Sequence, residues 1–143
     1  KTYYSKFAKN CDEYFYLPHR DEQRGIGGIF FDNFKHKNIT SSLSLLADMF
    51  ETYLTSYKKI INRRLNSKFS MDEKEFQLYR CGRYVEFNLL FDRGTKFGIE
   101  SGGRTDSILA SLPQNVAWPG KLTDKQISMN KKLNDFLSND WHA

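Results

Sequence analysis

The sequence has few of the residues that would indicate disulfides, metal clusters or membrane insertion. Among 143 residues there are two cysteines, three histidines and three prolines. Cys11 and Cys81 lie far apart and form no Cys-x-x-Cys pair, so neither a disulfide framework nor a zinc site is indicated. No apolar run approaches a transmembrane length, and the residues from Lys1 onward show no signal-peptide pattern. These absences predict a reduced, soluble protein of the cytoplasm.

The composition that remains is that of a folded, basic domain. Hydrophobic residues make up 39% of the chain and aromatic residues 15%, which is enough for a sizeable core. No internal repeat, low-complexity tract or linker interrupts it, so we predict one domain over residues 1–143. The net charge of +5 favours an acidic partner: nucleic acid, an anionic membrane or a polycarboxylate ligand. Charge alone does not choose among these.

The clearest local pattern is an alternation of apolar side chains over residues 84–91. Val85, Phe87 and Leu89 fall on one face, which is the period of a half-buried strand. Asp92 and Arg93 then begin a segment with the composition of a turn, and residues 96–100 resume a shorter alternation. The pattern predicts a β-hairpin with Asp92 and Arg93 at its tip.

A glycine pair and an arginine follow this predicted hairpin. Gly102, Gly103 and Arg104 lead into Thr105, which we expect to cap a short helix that ends before Pro113. Free backbone N–H groups, a helix dipole and a planar guanidinium together favour an anion. The same residues also suit an ordinary turn and loop, so spacing alone indicates only an anion-binding α+β domain.

Four helices and a further strand are predicted in the rest of the chain. These are an N-terminal helix with an aromatic face that ends before Pro18, a strand over residues 29–34, a long amphipathic helix over residues 42–65 capped by Ser41 or Thr40, a short helix from the Ser70 and Glu73 capping box through Tyr79, and a terminal helix opened by Thr123 and Gln126. The basic patch on the long helix lacks a nucleic-acid-binding motif, so no nucleic-acid partner is predicted.

Two long blocks of residues carry a resemblance to a known family. They are Cys11-Asp12-Glu13-Tyr14-Phe15 with His19-Arg20 and Arg24-Gly25-Ile26-Gly27-Gly28-Ile29-Phe30-Phe31-Asp32, and Gly82-Arg83-Tyr84-Val85-Glu86-Phe87-Asn88-Leu89 with Asp92-Arg93-Gly94-Thr95, Gly102-Gly103-Arg104-Thr105 and Ser107-Ile108-Leu109. In content, order and separation they resemble oxygen-dependent coproporphyrinogen III oxidase of the haem pathway. The resemblance covers nearly the whole chain.

The resemblance implies an α+β fold with a large antiparallel β-sheet flanked by α-helices. This chain matches the C-terminal portion of the family's domain, so we expect it to hold only part of that sheet. The upstream half, with a glycine-rich segment and a His-containing motif, is missing from it. Relatives form homodimers, here through residues 84–118, which begin with Tyr84 and end with Trp118.

The resemblance also implies a reaction. Two propionate side chains of coproporphyrinogen III are oxidatively decarboxylated to vinyl groups, giving protoporphyrinogen IX. Molecular oxygen is the co-substrate, carbon dioxide and hydrogen peroxide are products, and no organic cofactor is used. On this basis Asp92 and Arg93 are the catalytic candidates, and Gly102, Gly103 and Arg104 would bind a substrate carboxylate.

A metal and two other classes of function stay open at this point. Bacterial members are described with a divalent metal, for which His19 is the candidate ligand, whereas other members need none. A non-catalytic fragment that binds the porphyrinogen or another polyanion is the main alternative to the enzyme. A structural or nucleic-acid-binding domain is suggested by net charge alone.

Overall fold

The described part of the chain is mostly α-helical. The computed structural model describes residues 2–25 and 27–139, so Ile26 of the first block lies outside it. In chain order the elements are α1 (Thr2–Tyr14), β1 (Tyr16–Leu17), β2 (Glu22–Gln23), α2 (Ile39–Arg64), α3 (Met71–Leu90), α4 (Arg93–Glu100), α5 (Thr105–Leu109) and α6 (Asp124–Leu137). They form two compact units, one of Lys1–Phe30 with Ser70–Ala143 and one of Phe31–Phe69. The single domain over residues 1–143 stays a prediction.

The predicted large antiparallel β-sheet is wrong. Within the described residues the sheet has two strands of two residues each, paired antiparallel with Tyr16 opposite Gln23 and Leu17 opposite Glu22. The predicted strand over residues 29–34 does not form. A strand needs a neighbour for its backbone N–H and C=O groups, whereas a helix pairs its own. The described residues therefore form helices where a large sheet was predicted.

The segment predicted as the clearest strand is the second half of α3. Its alternation does not match its burial, because Val85, Glu86 and Phe87 are buried in succession while Leu89 is 45% exposed. The helix starts at a capping box in which the Ser70 N–H donates to the Glu73 carboxylate at 2.6 Å. We predicted this box correctly but ended its helix at Tyr79, 11 residues before the observed end at Leu90.

The predicted β-hairpin is also wrong, and its turn is the corner between α3 and α4. Asp92 is the N-cap of α4, where its side chain accepts a hydrogen bond from the Thr95 N–H at 2.7 Å. Arg93 is the first residue of that helix. A short Asp side chain that bonds backbone nearby suits either a turn or a helix cap. The turn chemistry was therefore identified correctly but placed in the wrong element.

The first unit has a small aromatic core formed by α1, β1 and α3. Its buried apolar residues are Phe7, Ala8, Cys11, Leu17, Val85 and Phe87. The Tyr14 ring stacks on Phe30 with ring centroids 4.4 Å apart and meets Phe87 edge-on at 5.5 Å. The predictions of α1 with its aromatic face and of α6 with its Thr123 capping box are confirmed.

The second unit consists mainly of α2, the predicted long amphipathic helix. Its N-cap is Asn38 rather than Thr40 or Ser41: the Asn38 side chain accepts from the Ser41 N–H at 2.8 Å. None of the residues of α2 is buried. No helix of the described chain is both long enough and apolar enough to cross a membrane.

Candidate functional site

Asp92 lies in a half-buried position at the corner between α3 and α4. Its Oδ1 accepts a hydrogen bond from the Tyr14 hydroxyl at 3.0 Å, and its Oδ2 accepts from the Thr95 hydroxyl at 2.9 Å as well as from the Thr95 N–H. Burial acts to raise the pKa of Asp92, but these hydrogen bonds outweigh it and hold the pKa below its ordinary value. Asp92 is therefore a fixed, ionised carboxylate at neutral pH.

Arg93 is held against the same tyrosine as Asp92. Its backbone N–H donates to the Tyr14 hydroxyl at 3.3 Å, and its guanidinium carbon lies 4.8 Å from the centroid of the Tyr14 ring. Tyr14 thus links the two predicted catalytic residues to α1. We call Tyr14, Asp92, Arg93 and Thr95 the Asp92 cluster.

The predicted carboxylate site at Gly102, Gly103 and Arg104 lies at the other end of α4. A helix of eight residues is about 12 Å long, so this site does not join the Asp92 cluster. The Gly102 N–H donates to the Ile99 carbonyl at 3.1 Å. The Gly103 N–H donates to the Gly98 carbonyl at 2.9 Å. Both amides therefore close the end of α4 instead of facing an anion.

The helix after the glycine pair also differs from prediction. Arg104, not Thr105, occupies the N-cap position of α5, and its side chain makes no capping hydrogen bond. The Arg104 Nε instead donates to the Ser107 hydroxyl at 2.7 Å, and the residue is exposed. Gly102 and Gly103 are exposed as well, but because their N–H groups are hydrogen-bonded to α4, the Arg104 guanidinium is the predicted group that keeps donors for an anion.

His19 belongs to a second group of charged residues, centred on Glu86. Glu86 is 8% exposed, and its carboxylate contacts the His19 Nε2 at 2.8 Å. Arg20 donates from Nε to one oxygen at 3.0 Å and from Nη2 to the other at 2.8 Å. The Trp118 indole N–H donates at 2.8 Å. Arg83 lies 3.4 Å away, and we call these five residues the Glu86 cluster.

A second carboxylate extends this network along α3. Glu22, in β2, accepts from the Arg83 Nε and from the Arg80 Nη1, the latter at 3.3 Å. The Arg83 guanidinium also donates to the Tyr79 hydroxyl and lies over that ring, 4.2 Å from its centroid. Arg83 is 2% exposed, so its charge is paired inside the protein.

The Glu86 cluster sets the protonation state of its carboxylate. Burial acts to raise the pKa of Glu86, but hydrogen bonds from Arg20, Trp118 and His19 outweigh it and lower the pKa to about 2. Glu86 is therefore ionised at every physiological pH. Its two oxygens already contact His19, Arg20, Arg83 and Trp118, so this carboxylate orients its protein partners.

The predicted metal at His19 does not fit these residues. A divalent cation needs several N, O or S ligands, but His19 already contacts Glu86 and both Glu86 oxygens accept from the cationic Arg20. Over residues 2–25 and 27–139 no group of three or more His, Cys, Asp and Glu side chains could hold a metal ion. The described geometry supports no step that uses a metal at His19.

Glu86, Arg83 and Trp118 form part of this site but were not predicted from the sequence. Interpreting residues 84–91 as a strand put Glu86 on the face opposite Phe87, away from the apolar side. In a helix, Tyr79, Arg83 and Glu86 fall at positions i, i+4 and i+7 of one face. That spacing of charged and aromatic residues was the signal that could have revealed the cluster.

Comparisons with known proteins agree with the resemblance seen in the sequence. A family model described as "Coproporphyrinogen III oxidase" matches residues 1–142. A protein of Francisella tularensis subsp. novicida (strain U112) named "Oxygen-dependent coproporphyrinogen-III oxidase" is 51% identical over 142 residues. A protein of the same name from Francisella philomiragia is 48% identical over 141 residues.

The extent of these matches differs between this chain and its relatives. The alignment to the F. tularensis subsp. novicida protein covers 99% of this chain and 46% of the relative, and that to the F. philomiragia protein covers 98% and 46%. The chain thus spans about half the length of the curated relatives that it matches. Since the family model matches nearly every residue, the chain belongs to the coproporphyrinogen III oxidase family.

Proposed function

We propose that this chain carries part of the active site for oxygen-dependent oxidative decarboxylation of coproporphyrinogen III to protoporphyrinogen IX. The observation that carries the proposal is the 51% identity over 142 residues to a protein named as an oxygen-dependent coproporphyrinogen-III oxidase. The net charge of +5 and the arginines of the first unit suit a tetracarboxylate substrate.

The reaction balances with molecular oxygen alone as the oxidant. Each of the two reacting propionates loses its carboxylate as carbon dioxide, and its carbon attached to the ring loses a hydrogen together with the two electrons of the C–H bond, so a vinyl group forms. Two electrons pass to oxygen, which takes up the hydrogen and one proton and leaves as hydrogen peroxide. No organic cofactor enters this balance, and we propose none.

Asp92 is the group that we propose to hold and orient the macrocycle. Its lowered pKa keeps it ionised, so it can accept hydrogen bonds from pyrrole N–H groups and help to remove a proton. The Tyr14 and Thr95 donors fix its direction. A carboxylate offers about four lone-pair sites, so acceptor capacity remains for the substrate.

Arg93 and Arg104 are proposed to contact substrate carboxylates from opposite ends of α4. Arg93 is the first residue of that helix and follows Asp92 directly. Arg104 presents an exposed guanidinium, since Ser107 accepts from Nε alone. Gly102 and Gly103 contribute by shaping the corner that carries Arg104, because their N–H groups are used by α4.

We also propose that the protein is a cytoplasmic homodimer that associates through residues 84–118. Five large apolar residues of this range are at least 45% exposed: Leu89, Leu90, Phe97, Ile99 and Trp118. A surface of this kind suits a protein contact. A Phe97→Glu substitution, followed by light scattering, should convert dimer to monomer; an unchanged mass would reject this surface.

The test is an aerobic assay with coproporphyrinogen III that follows protoporphyrin formation. It is run on the chain itself and on a hybrid in which the chain replaces the matching segment of the F. tularensis subsp. novicida relative. Asp92→Asn and Arg104→Ala should reduce turnover, whereas Arg63→Ala, which removes a guanidinium from the exposed end of α2, should not.

The outcomes separate the functions considered. Turnover by the hybrid that Asp92→Asn abolishes would support the oxidase proposal. An inactive hybrid would reject it. Porphyrinogen binding by the chain without turnover in either form would leave the non-catalytic binding function in its place.

A further inference from the structure

Arg24 occupies an aromatic cradle in the first unit. Its guanidinium carbon lies 4.1 Å from the centroid of the Phe15 ring, 5.0 Å from that of Tyr84 and 5.1 Å from that of Phe87. These separations fall within the range of cation–π contact. The backbone is fixed as well, since the Arg24 N–H donates to the Phe15 carbonyl at 3.4 Å. The side chain is therefore held in one place.

Arg24 differs in its pairing from three other arginines of the first unit. Arg20, Arg80 and Arg83 each form an ion pair with Glu22 or Glu86. Among the residues that the structure describes, by contrast, no carboxylate, carbonyl or hydroxyl accepts a hydrogen bond from the Arg24 guanidinium. A planar cation in an aromatic cradle that donates no hydrogen bond to an anion is an unusual arrangement, because a guanidinium favours a bidentate anion.

The nitrogens of Arg24 are nonetheless accessible. Over the described residues no buried side-chain nitrogen or oxygen lacks a hydrogen-bond partner. Because Arg24 is half-buried and its nitrogens have no such partner, they reach solvent. These N–H groups are therefore available to a ligand.

The electrostatic environment of Arg24 favours an anion. Burial lowers the pKa of Arg24, whereas Tyr84, Cys11 and Asp92 oppose this. Arginine keeps its proton in proteins, so the burial appears as an unfavourable cost of the desolvated charge. A carboxylate placed against the guanidinium would offset that cost.

The cradle lies next to the Asp92 cluster. The Phe15 and Phe87 rings that support Arg24 also contact the Tyr14 ring, with centroids 4.9 Å and 5.5 Å away. Tyr14 in turn donates to Asp92. A ligand on Arg24 would thus lie beside the carboxylate that we propose to hold the macrocycle, at the opposite end of α4 from Arg104.

We propose that Arg24 is an additional substrate-binding residue, which takes a propionate carboxylate of the porphyrinogen in a bidentate contact beside Asp92. This inference rests on the proposed function and deepens it. The aromatic cradle is what prepares the site, since it fixes the plane of the guanidinium before the ligand arrives.

The experiment is a fluorescence titration of the chain with coproporphyrin III, the stable oxidised form that keeps the tetracarboxylate. Arg24→Met keeps an unbranched apolar side chain over the rings but removes the charge, and binding should weaken about tenfold or more. Arg24→Lys keeps the charge without the planar fork and should give a smaller loss. Arg63→Met, which removes an exposed guanidinium from α2, should leave the affinity unchanged.

A second titration with the tetramethyl ester of coproporphyrin III separates carboxylate contact from misfolding. Esterification should weaken binding to the parent chain more than binding to Arg24→Met, because the variant has already lost one contact. If esterification weakens both equally, Arg24 does not meet a carboxylate. If the parent binds and Arg24→Met binds as tightly, this inference alone fails. If the parent binds no porphyrin, the proposed function fails with it.

Discussion

Arg20 and Glu86 form a bidentate ion pair, with the Arg20 Nε 3.0 Å from one Glu86 oxygen and Nη2 2.8 Å from the other. Arg20 follows β1, whereas Glu86 lies in α3, 66 residues later in the chain. Because the Trp118 indole and His19 contact the same carboxylate, one buried charge connects three separate segments of the first unit.

Removing this charge should strongly destabilise the first unit. Glu86→Gln keeps the shape of the side chain but leaves Arg20 and Arg83 without their shared anion, and we expect a loss of about 3 kcal/mol in the free energy of unfolding. Urea denaturation followed by tryptophan fluorescence measures this change.

The matched control for this prediction is Asp72→Asn. It breaks the ion pair between Asp72 and Lys125, in which the Asp72 side chain is 41% exposed and the Lys125 side chain 57% exposed. Since an exposed ion pair contributes little, this variant should shift the urea midpoint far less than Glu86→Gln does. Equal shifts for the two variants would contradict the structural role assigned to Glu86.

The lowered pKa of Glu86 predicts the pH range in which the protein loses stability. Above pH 4.5, its ordinary value, Glu86 is ionised in both the folded and unfolded states, and its stabilisation is fully present. As the pH falls toward 2, the unfolded state binds a proton that the folded state does not, so stability declines with falling pH. Urea midpoints between pH 7 and pH 2.5 measure the effect.

Glu86→Gln provides the reference for that pH dependence. It has no carboxyl group at this position, so its curve should be flatter than that of the parent chain below pH 4.5. Asp92 also has a lowered pKa and remains in both proteins, so its contribution cancels in the comparison. Parallel curves would show that Glu86 is not the group responsible.

The local features that were predicted correctly share a physical cause. The capping boxes at Ser70 and Thr123 need only residues three positions apart, so a short stretch of sequence contains all the information. The long α2 was recognised because its apolar period extends over many turns. The exact cap, Asn38 instead of Ser41, was missed because both residues take part in the same capping box.

The features that were missed depend on contacts distant in sequence. The alternation over residues 84–91 is compatible with a strand, but three consecutive residues there are buried by α1, β1 and the Trp118 segment. The Glu86 carboxylate is satisfied by Arg20 and Trp118, which lie 66 and 32 residues away. No local window contains that information, so the strand was predicted and the buried charge was not.

Asp92 allows its structural and catalytic roles to be separated. Asn caps helices about as well as Asp, and its amide can still accept from the Thr95 N–H, so Asp92→Asn should change stability by only a few tenths of a kcal/mol. Turnover in the hybrid protein should nevertheless fall strongly, because the negative charge toward the pyrrole N–H groups is lost.

The control for Asp92→Asn is a cap without a proposed catalytic role. Thr123→Ala removes the cap of α6 and should cost about 1 kcal/mol of stability while leaving turnover unchanged. If Asp92→Asn lowered stability as much as Thr123→Ala and kept its activity, Asp92 would be a helix cap and nothing more.

Substitutions of Gly102 and Gly103 test whether the corner after α4 has a structural role. A Cβ at Gly103 would lie 2.8 Å from the Gly98 carbonyl oxygen, which accepts the Gly103 N–H at 2.9 Å and cannot move away without losing that bond. Gly103→Ala should therefore cost about 2 kcal/mol. Gly102 has φ +73° with open space around it, so Gly102→Ala should cost about 1 kcal/mol through backbone strain alone.

Gly120→Ala is the reference for both substitutions, because a Cβ there would meet nothing within 4 Å and no positive φ is involved. It should change the free energy of unfolding by a few tenths of a kcal/mol. In thermal or urea denaturation, Gly103→Ala should be the most destabilised variant, Gly102→Ala the next and Gly120→Ala the least. If Gly103→Ala instead kept full stability but lost porphyrin binding, the glycine would contact the ligand directly, and the corner would be an anion site after all.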